Sequence, residues 1–249
     1  MRSLILLLAF IPVIFAHSVE GDTKTKYNGK TIKIAIIDTG YNFLAKWNNL
    51  DHGLKTPKIC NFGHKDFTGE GITDNHGHGT HIAGLIAKYA ENANYCIIII
   101  KFYRASGSGL DNLTNSKKAL KYALNIKVDM INYSAGGPSF DLVESGIVNK
   151  LLSRGTKLVF AAGNDGKNID IVENRYYPAS YSDDIIVVGN MNSNGTRASS
   201  SNWGKSVDFW ECGINVISLT PKNSTGLMSG TSQATAIRSG KIIKKWYQK

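Results

Sequence analysis

Thr31-Ile32-Lys33-Ile34-Ala35-Ile36-Ile37-Asp38-Thr39-Gly40 is the stretch that settles the architecture. It is apolar at nearly every position, and a carboxylate and a glycine follow at once. A strand with one wet face alternates apolar and polar residues. A continuous apolar run needs cover on both faces, as in a parallel sheet. Runs of the same texture recur at 95–101, 128–133, 157–161 and 185–188. Helical patterns lie between them. Residues 78–90 place Ile82, Leu85, Ile86 and Tyr89 on one face, 115–124 place Ala119, Leu120, Ala123 and Leu124 together, and 142–152 do the same with Val143, Ile147, Val148, Leu151 and Leu152. Strands alternating with helices predict βαβ units, hence an α/β fold with a mostly parallel central sheet. No repeat, linker or low-complexity segment divides the chain.

In such a sheet, functional groups collect beyond the carboxyl ends of the strands. Asp38-Thr39-Gly40 follows the first run, Ser134-Ala135-Gly136-Gly137 the third, and Ala161-Ala162-Gly163-Asn164-Asp165-Gly166 spans the end of the fourth. Two polar clusters open helices, Asn75-His76-Gly77-His78-Gly79-Thr80-His81 and Ser229-Gly230-Thr231-Ser232-Gln233. An acid, a histidine cluster, an Asn and a Ser are thereby expected on one rim. A Ser hydroxyl becomes a nucleophile when a base lies within hydrogen-bond reach and an acid fixes that base's tautomer. Helix starts add a positive dipole and free N–H groups near Ser232, and Asn164 offers an amide to the same developing oxyanion. Spacing alone does not choose among His76, His78 and His81. A metal cluster fits poorly, since the pattern is not His-x-x-x-His around a Glu and no Cys is near.

The segments Ile36–Gly40, His78–Gly84, Ala161–Gly166 and Gly230-Thr231-Ser232 resemble the four motifs of subtilisin-like serine proteases. Asn132–Pro138 and Gly107-Ser108-Gly109-Leu110 resemble the two substrate strands of that family. The resemblance runs from about residue 31 to about 240, in order and at sensible spacing. It implies a three-layer αβα fold and a serine endopeptidase. It makes Asp38 the orienting acid, His78 the general base and Ser232 the nucleophile, with Asn164 and the Ser232 N–H in the oxyanion hole. An extended peptide would lie between Gly107, Ser108 and Gly109 on one side and Ser134, Ala135 and Gly136 on the other. A pocket lined by Ser134–Gly136 and by Ala161, Ala162 and Gly163 would select a residue beside the scissile bond. Asp165, Asp170 and Glu173 near it read as solvated loop charges, or as a preference for a basic residue.

The chain also departs from the family pattern. Gln233 stands where Met is usual, and Ala236 where Pro is. Ala suits a helix, so activity is expected to survive. A basic amphipathic helix, 237–246, is expected at the end of the chain. The short segment 88–95 lacks the carboxylates of a calcium loop, so no metal and no cofactor is expected. By the resemblance, Cys60 and Cys96 would fall on two strands that are neighbours in the family, which allows one disulfide; three unpaired buried thiols is the other reading. His81 reads as a buried residue bonded to backbone, and His76 as exposed.

Hydrophobic residues at 42% and charged residues at 19% exclude a disordered chain. Residues 1–16, a basic start followed by an apolar run ending at Ala16, read as a signal peptide too short to span a bilayer comfortably. The expected layout is 1–16 signal peptide, 17–30 short extension and 31–249 peptidase domain, exported and monomeric. With so short an extension no propeptide is expected, and the domain would fold unaided or with a separate helper or inhibitor chain. Sequons occur at Asn112, Asn132, Asn194 and Asn223, of which Asn132 belongs to a core strand. The formal charge of +10 raises nucleic acid as a partner. The basic residues are scattered and form no nucleic-acid module, so a peptide or protein substrate is the expected partner. A catalytically silent relative that binds peptides or proteases is the alternative.

Overall fold

The computed structural model describes residues 29–44 and 53–248. The expected signal peptide, and all but the last two residues of the 17–30 extension, lie outside the described residues. Seven strands form one sheet: β1 Ile32–Asp38, β2 Lys65–Asp66, β3 Tyr95–Lys101, β4 Met130–Tyr133, β5 Lys157–Ala161, β6 Ile186–Met191 and β7 Phe209–Cys212. Their order is β2-β3-β1-β4-β5-β6-β7 and every pairing is parallel. β8 Val216–Thr220 and β9 Ser224–Met228 make a separate antiparallel hairpin.

Four helices cover the sheet: α1 His78–Ala90, α2 Gly109–Asn125, α3 Leu142–Ser153 and α4 Thr231–Tyr247. The two-residue period of a strand sorts the core into halves. Ile34, Ile36, Ile97 and Ile99 pack with Ile82, Ile86, Ile237 and Ile243 of α1 and α4. Ala35, Ile37, Ile98 and Ile100 pack with Ala119, Leu120, Val148 and Leu151 of α2 and α3. The result is a three-layer αβα fold, and it explains why the strands are apolar throughout.

Two helices differ from their expected extents. α2 starts at Gly109, well before the apolar pattern. Ser108 and Asp111 form a capping box that starts the helix while its first turn is still exposed, with Leu110 71% accessible. The expected terminal helix is the second half of α4, which begins at Thr231 and carries Ser232. Without a proline at Ala236, nothing interrupts the backbone ladder between the two halves. β6 extends to Met191, beyond the apolar run, because Asn190 is buried and bonded rather than solvated.

Register then places the rim. Ile37 pairs with Tyr133, and Tyr133 with Phe160. The next residues along these strands are Asp38, Ser134 and Ala161. Three segments named by the sequence therefore leave the sheet side by side.

Candidate active site

Asp38 ends β1 and is 3% exposed. Its Oδ1 accepts from Thr39 N at 2.7 Å, and its two oxygens lie 2.8 and 3.0 Å from His78 Nδ1. With Nδ1–H donated to the carboxylate, Nε2 of a neutral His78 is an acceptor. Burial by itself would push the imidazole down. The Asp38 charge and hydrogen bond, with the Asp74 charge behind them, more than offset this and hold His78 above its ordinary value of 6.5.

Close approach of α1 to β1 makes this contact possible. A Cβ on Gly79 would stand 2.3 Å from Gly40 O and 3.3 Å from Asp38 Cβ. Gly40 itself has φ +109° and leaves no room for a Cβ beside Ile72 O. Any side chain at Gly79 would force the His78 turn away from Asp38.

Asp74 is one residue that sequence reading missed here. It is 1% exposed and takes the place of a helix cap, since Gly77 provides no side chain. Its oxygens accept from His76 N, Gly77 N, Thr80 N and Thr80 Oγ1 at 2.7–3.0 Å. Thr39 Oγ1 donates to Asp74 at 2.9 Å and accepts from Gly79 N at 2.9 Å, joining β1 to the start of α1. An acidic residue just before a helix start is the available sequence signal. Lys101 was also missed. It is 2% exposed, and its Nζ donates to Thr73 O at 2.9 Å with Glu70 3.5 Å away.

Ser232 lies in the first turn of α4, where backbone N–H groups have no intrahelical acceptor. Its hydroxyl donates to Ser134 O at 2.9 Å, and Ser134 Oγ donates back to Ser232 O at 3.2 Å. Asn164 Oδ1 accepts from Thr231 N at 3.0 Å. Ala161, Ala162 and Gly163 lead to it from β5. Asn202 braces this segment, with Nδ2 donating to Ala162 O at 2.8 Å and N to Gly163 O at 2.9 Å. Ser134, Ala135 and Gly136 leave β4, and Gly137 exchanges two backbone bonds of 2.8 Å with Tyr177.

Other expected residues are placed as follows. Gly107 and Ser108 form a turn and the cap of α2, and Gly109 is its first residue, so these three are not in a strand. Asp170 is committed to a loop: it accepts from Lys205 N, Ser206 N and Ser206 Oγ at 2.7–3.0 Å, and these bonds hold its carboxyl below the usual value although burial works the other way. His76 is exposed. His81 is fully buried, with Nε2 3.1 Å from both Val216 O and Gly226 O. Cys60 and Cys96 form a disulfide, and Cys212 is a free thiol.

Among the described residues, no group of three His, Cys, Asp or Glu is placed to hold a metal, and no helix is long and apolar enough to cross a membrane. The connection from α1 to β3 runs over residues 91–94. Its one carboxylate, Glu91, is paired with Lys244 at 2.6 Å.

The subtilase family model matches residues 29–245. Subtilisin DY of Bacillus licheniformis is 34% identical over 90% of this chain and 79% of its own length. The major intracellular serine protease of Bacillus subtilis (strain 168) is 33% identical over 86% of this chain and 68% of its own. Among solved structures, a cold adapted subtilisin-like serine proteinase superposes with a TM-score of 0.67 at 25% identity, covering 84% of this chain and 72% of the other. A parallel αβα sheet that gathers Asp38, Ser134 and Asn164 at one rim, matched to this family over almost all its length, leaves one conclusion: the chain belongs to the subtilase family of serine endopeptidases.

Proposed function

We propose that the chain cleaves peptide bonds through Asp38, His78 and Ser232. The observation that carries this reading is the paired contact of the buried Asp38 carboxylate with His78 Nδ1, at 2.8 and 3.0 Å. It leaves Nε2 as the basic atom. Ser232 Oγ donates to Ser134 O in this structure; in the reaction the hydroxyl turns from that carbonyl, and His78 Nε2 takes its proton as the oxygen attacks the scissile carbonyl. The carbonyl oxygen becomes an oxyanion, stabilised by the Asn164 amide and the Ser232 N–H. His78 then passes its proton to the leaving amine, and the acyl group stays on Ser232. Water, deprotonated by His78, attacks the ester carbonyl; the bond to Ser232 Oγ then breaks, His78 returns the proton to that oxygen, and the new carboxyl end of the peptide leaves. Asp38 stays ionised throughout and holds the ring.

Residues 1–16 would direct export, 17–30 form a short extension, and 31–249 act as a monomeric peptidase. Gly107–Gly109 and Ser134–Gly136 would hold the peptide on either side. No metal is required in this scheme.

A serine-directed fluorophosphonate tests the assignment. The full chain should label and should cleave unfolded casein, and Ser232→Ala should abolish both. Folded protein that does neither would overturn it in favour of a silent, peptide-binding relative.

A further inference from the structure

The pocket between Ser134–Gly136 and Ala161–Gly163 is filled by a side chain of the protein itself. A Cβ on Gly136 would meet Tyr176 Cε1 at 2.4 Å and Cζ at 3.0 Å. A Cβ on Gly163 would meet Tyr176 Cδ2 and Cε2, both at 2.9 Å. Opposite edges of one ring therefore touch the two walls, and the phenol stands as a wedge between them. Each wall is glycine at the point of contact, so the ring sits flush against backbone.

Its backbone is held on every side. Tyr176 N donates to Ser180 Oγ at 3.2 Å and Tyr176 O accepts from Ser180 N at 2.8 Å. The next residue, Tyr177, exchanges two bonds of 2.8 Å with Gly137, which directly follows the first wall. With the main chain fixed at both ends, the ring can leave only by rotating its own side chain. Burial, and then the charge of Asp165, push the phenol up to about 12, so it stays neutral at working pH.

Asn164 directly follows the second wall, and Ser134 O in the first wall holds Ser232 Oγ. A peptide whose scissile carbonyl points at Asn164 places the side chain of that same residue between the walls. Resting on the active site proposed above, we infer that Tyr176 restricts the enzyme to peptides in which the residue supplying the scissile carbonyl is small: glycine, alanine or serine. A large side chain would have to expel the ring or overlap it.

The test uses the full chain and quenched fluorescent peptides that differ only at this position: Ala, Ser, Leu, Phe or Lys. Rates are scaled to active sites counted with a fluorophosphonate. Wild-type kcat/KM for Ala should exceed that for Phe by about 10- to 100-fold, the penalty typical of forcing a large group into filled space. Tyr176→Gly should raise kcat/KM for Phe at least about tenfold relative to Ala, while Tyr176→Phe, which keeps the ring, should retain the wild-type order. Tyr176→Ala makes the same comparison if the glycine variant does not fold. Protein that labels and cleaves Phe or Leu as fast as Ala overturns the inference. So does an opened variant that keeps the wild-type order. Protein that fails to label at all overturns the active-site assignment itself, and this inference with it.

Discussion

Asn164 Oδ1 accepts a hydrogen bond from Thr231 N at 3.0 Å. That bond fixes which way the amide faces, and it leaves the NH₂ group as a donor beside the first turn of the Ser232 helix. Replacing Asn164 by Leu removes the donor with little loss of volume. We expect kcat to fall by about 10²–10³, the order found for the corresponding donor in a subtilisin, with KM changed little. Steady-state kinetics on one peptide checks this. An equal loss in KM and none in kcat would mean that Asn164 only binds substrate.

His78 should set the acid limb of the pH profile. The proposed reaction needs its neutral form, and the Asp38 contacts hold it above 6.5 despite burial. The kcat/KM profile should therefore rise with pH through a midpoint above 6.5. Asp38→Asn removes the charge and leaves burial to dominate, so the midpoint should move down while the plateau drops steeply. The same raised value means that protonated His78 favours the folded state. This contribution is full below 6.5 and is lost as pH rises through the folded value.

His81 makes the opposite prediction. Its Nε2–H faces the carbonyls of Val216 and Gly226, and its Nδ1 is buried without a partner. Burial above all, and the nearby His78 charge, push it down to about 4, although the two carbonyls pull the other way. Between pH 6.5 and 4 the unfolded chain takes up a proton that the fold refuses. Stability should fall by about 3 kcal/mol over that range. Urea unfolding of Ser232→Ala protein, which lacks the proposed nucleophile and so should not digest itself, measures this. His81→Gln in the same background keeps a donor and should lose that part of the acid dependence.

The Cys60–Cys96 bridge closes a loop with a sequence separation of 36. Chain entropy alone values such a link at about 4 kcal/mol. It ties the start of β3 to the neighbouring segment, where Cys60 N also donates to Ile97 O at 3.0 Å. Asp38 pairs with Lys101 at the other end of that strand. Replacing both cysteines by serine should therefore lower unfolding free energy by about 2–4 kcal/mol and leave kcat/KM at 25 °C within about twofold. A large loss of activity in still-folded protein would show that the bridge positions the rim.

Much of the fold was legible because its signals are local. Apolar runs covered on both faces gave strands, and a period near four gave helices. The parallel sheet then required the loops after β1, β4 and β5 to share a rim. α2 began early because the Ser108–Asp111 capping box, not an apolar face, starts it. α4 ran on because nothing in Thr231–Ala236 breaks a helix.

The sequence by itself determined which residue types stand at strand ends and helix starts, and hence an Asp, a His, an Asn and a Ser in family order. Only the tertiary structure decided their partners. Asp74 looks like any loop acid until α1 is packed on β1 and its oxygens meet the free N–H groups there. Cys60 found Cys96 because β3 lies beside the 53–64 segment. Tyr176 reads as one of two adjacent tyrosines before a proline, and only the pairing of Tyr177 with Gly137 drives its ring between Gly136 and Gly163. The physical reason is separation along the chain. Periodicity and capping act over a few residues, whereas the contents of a pocket depend on segments some forty residues apart that meet only in the folded core.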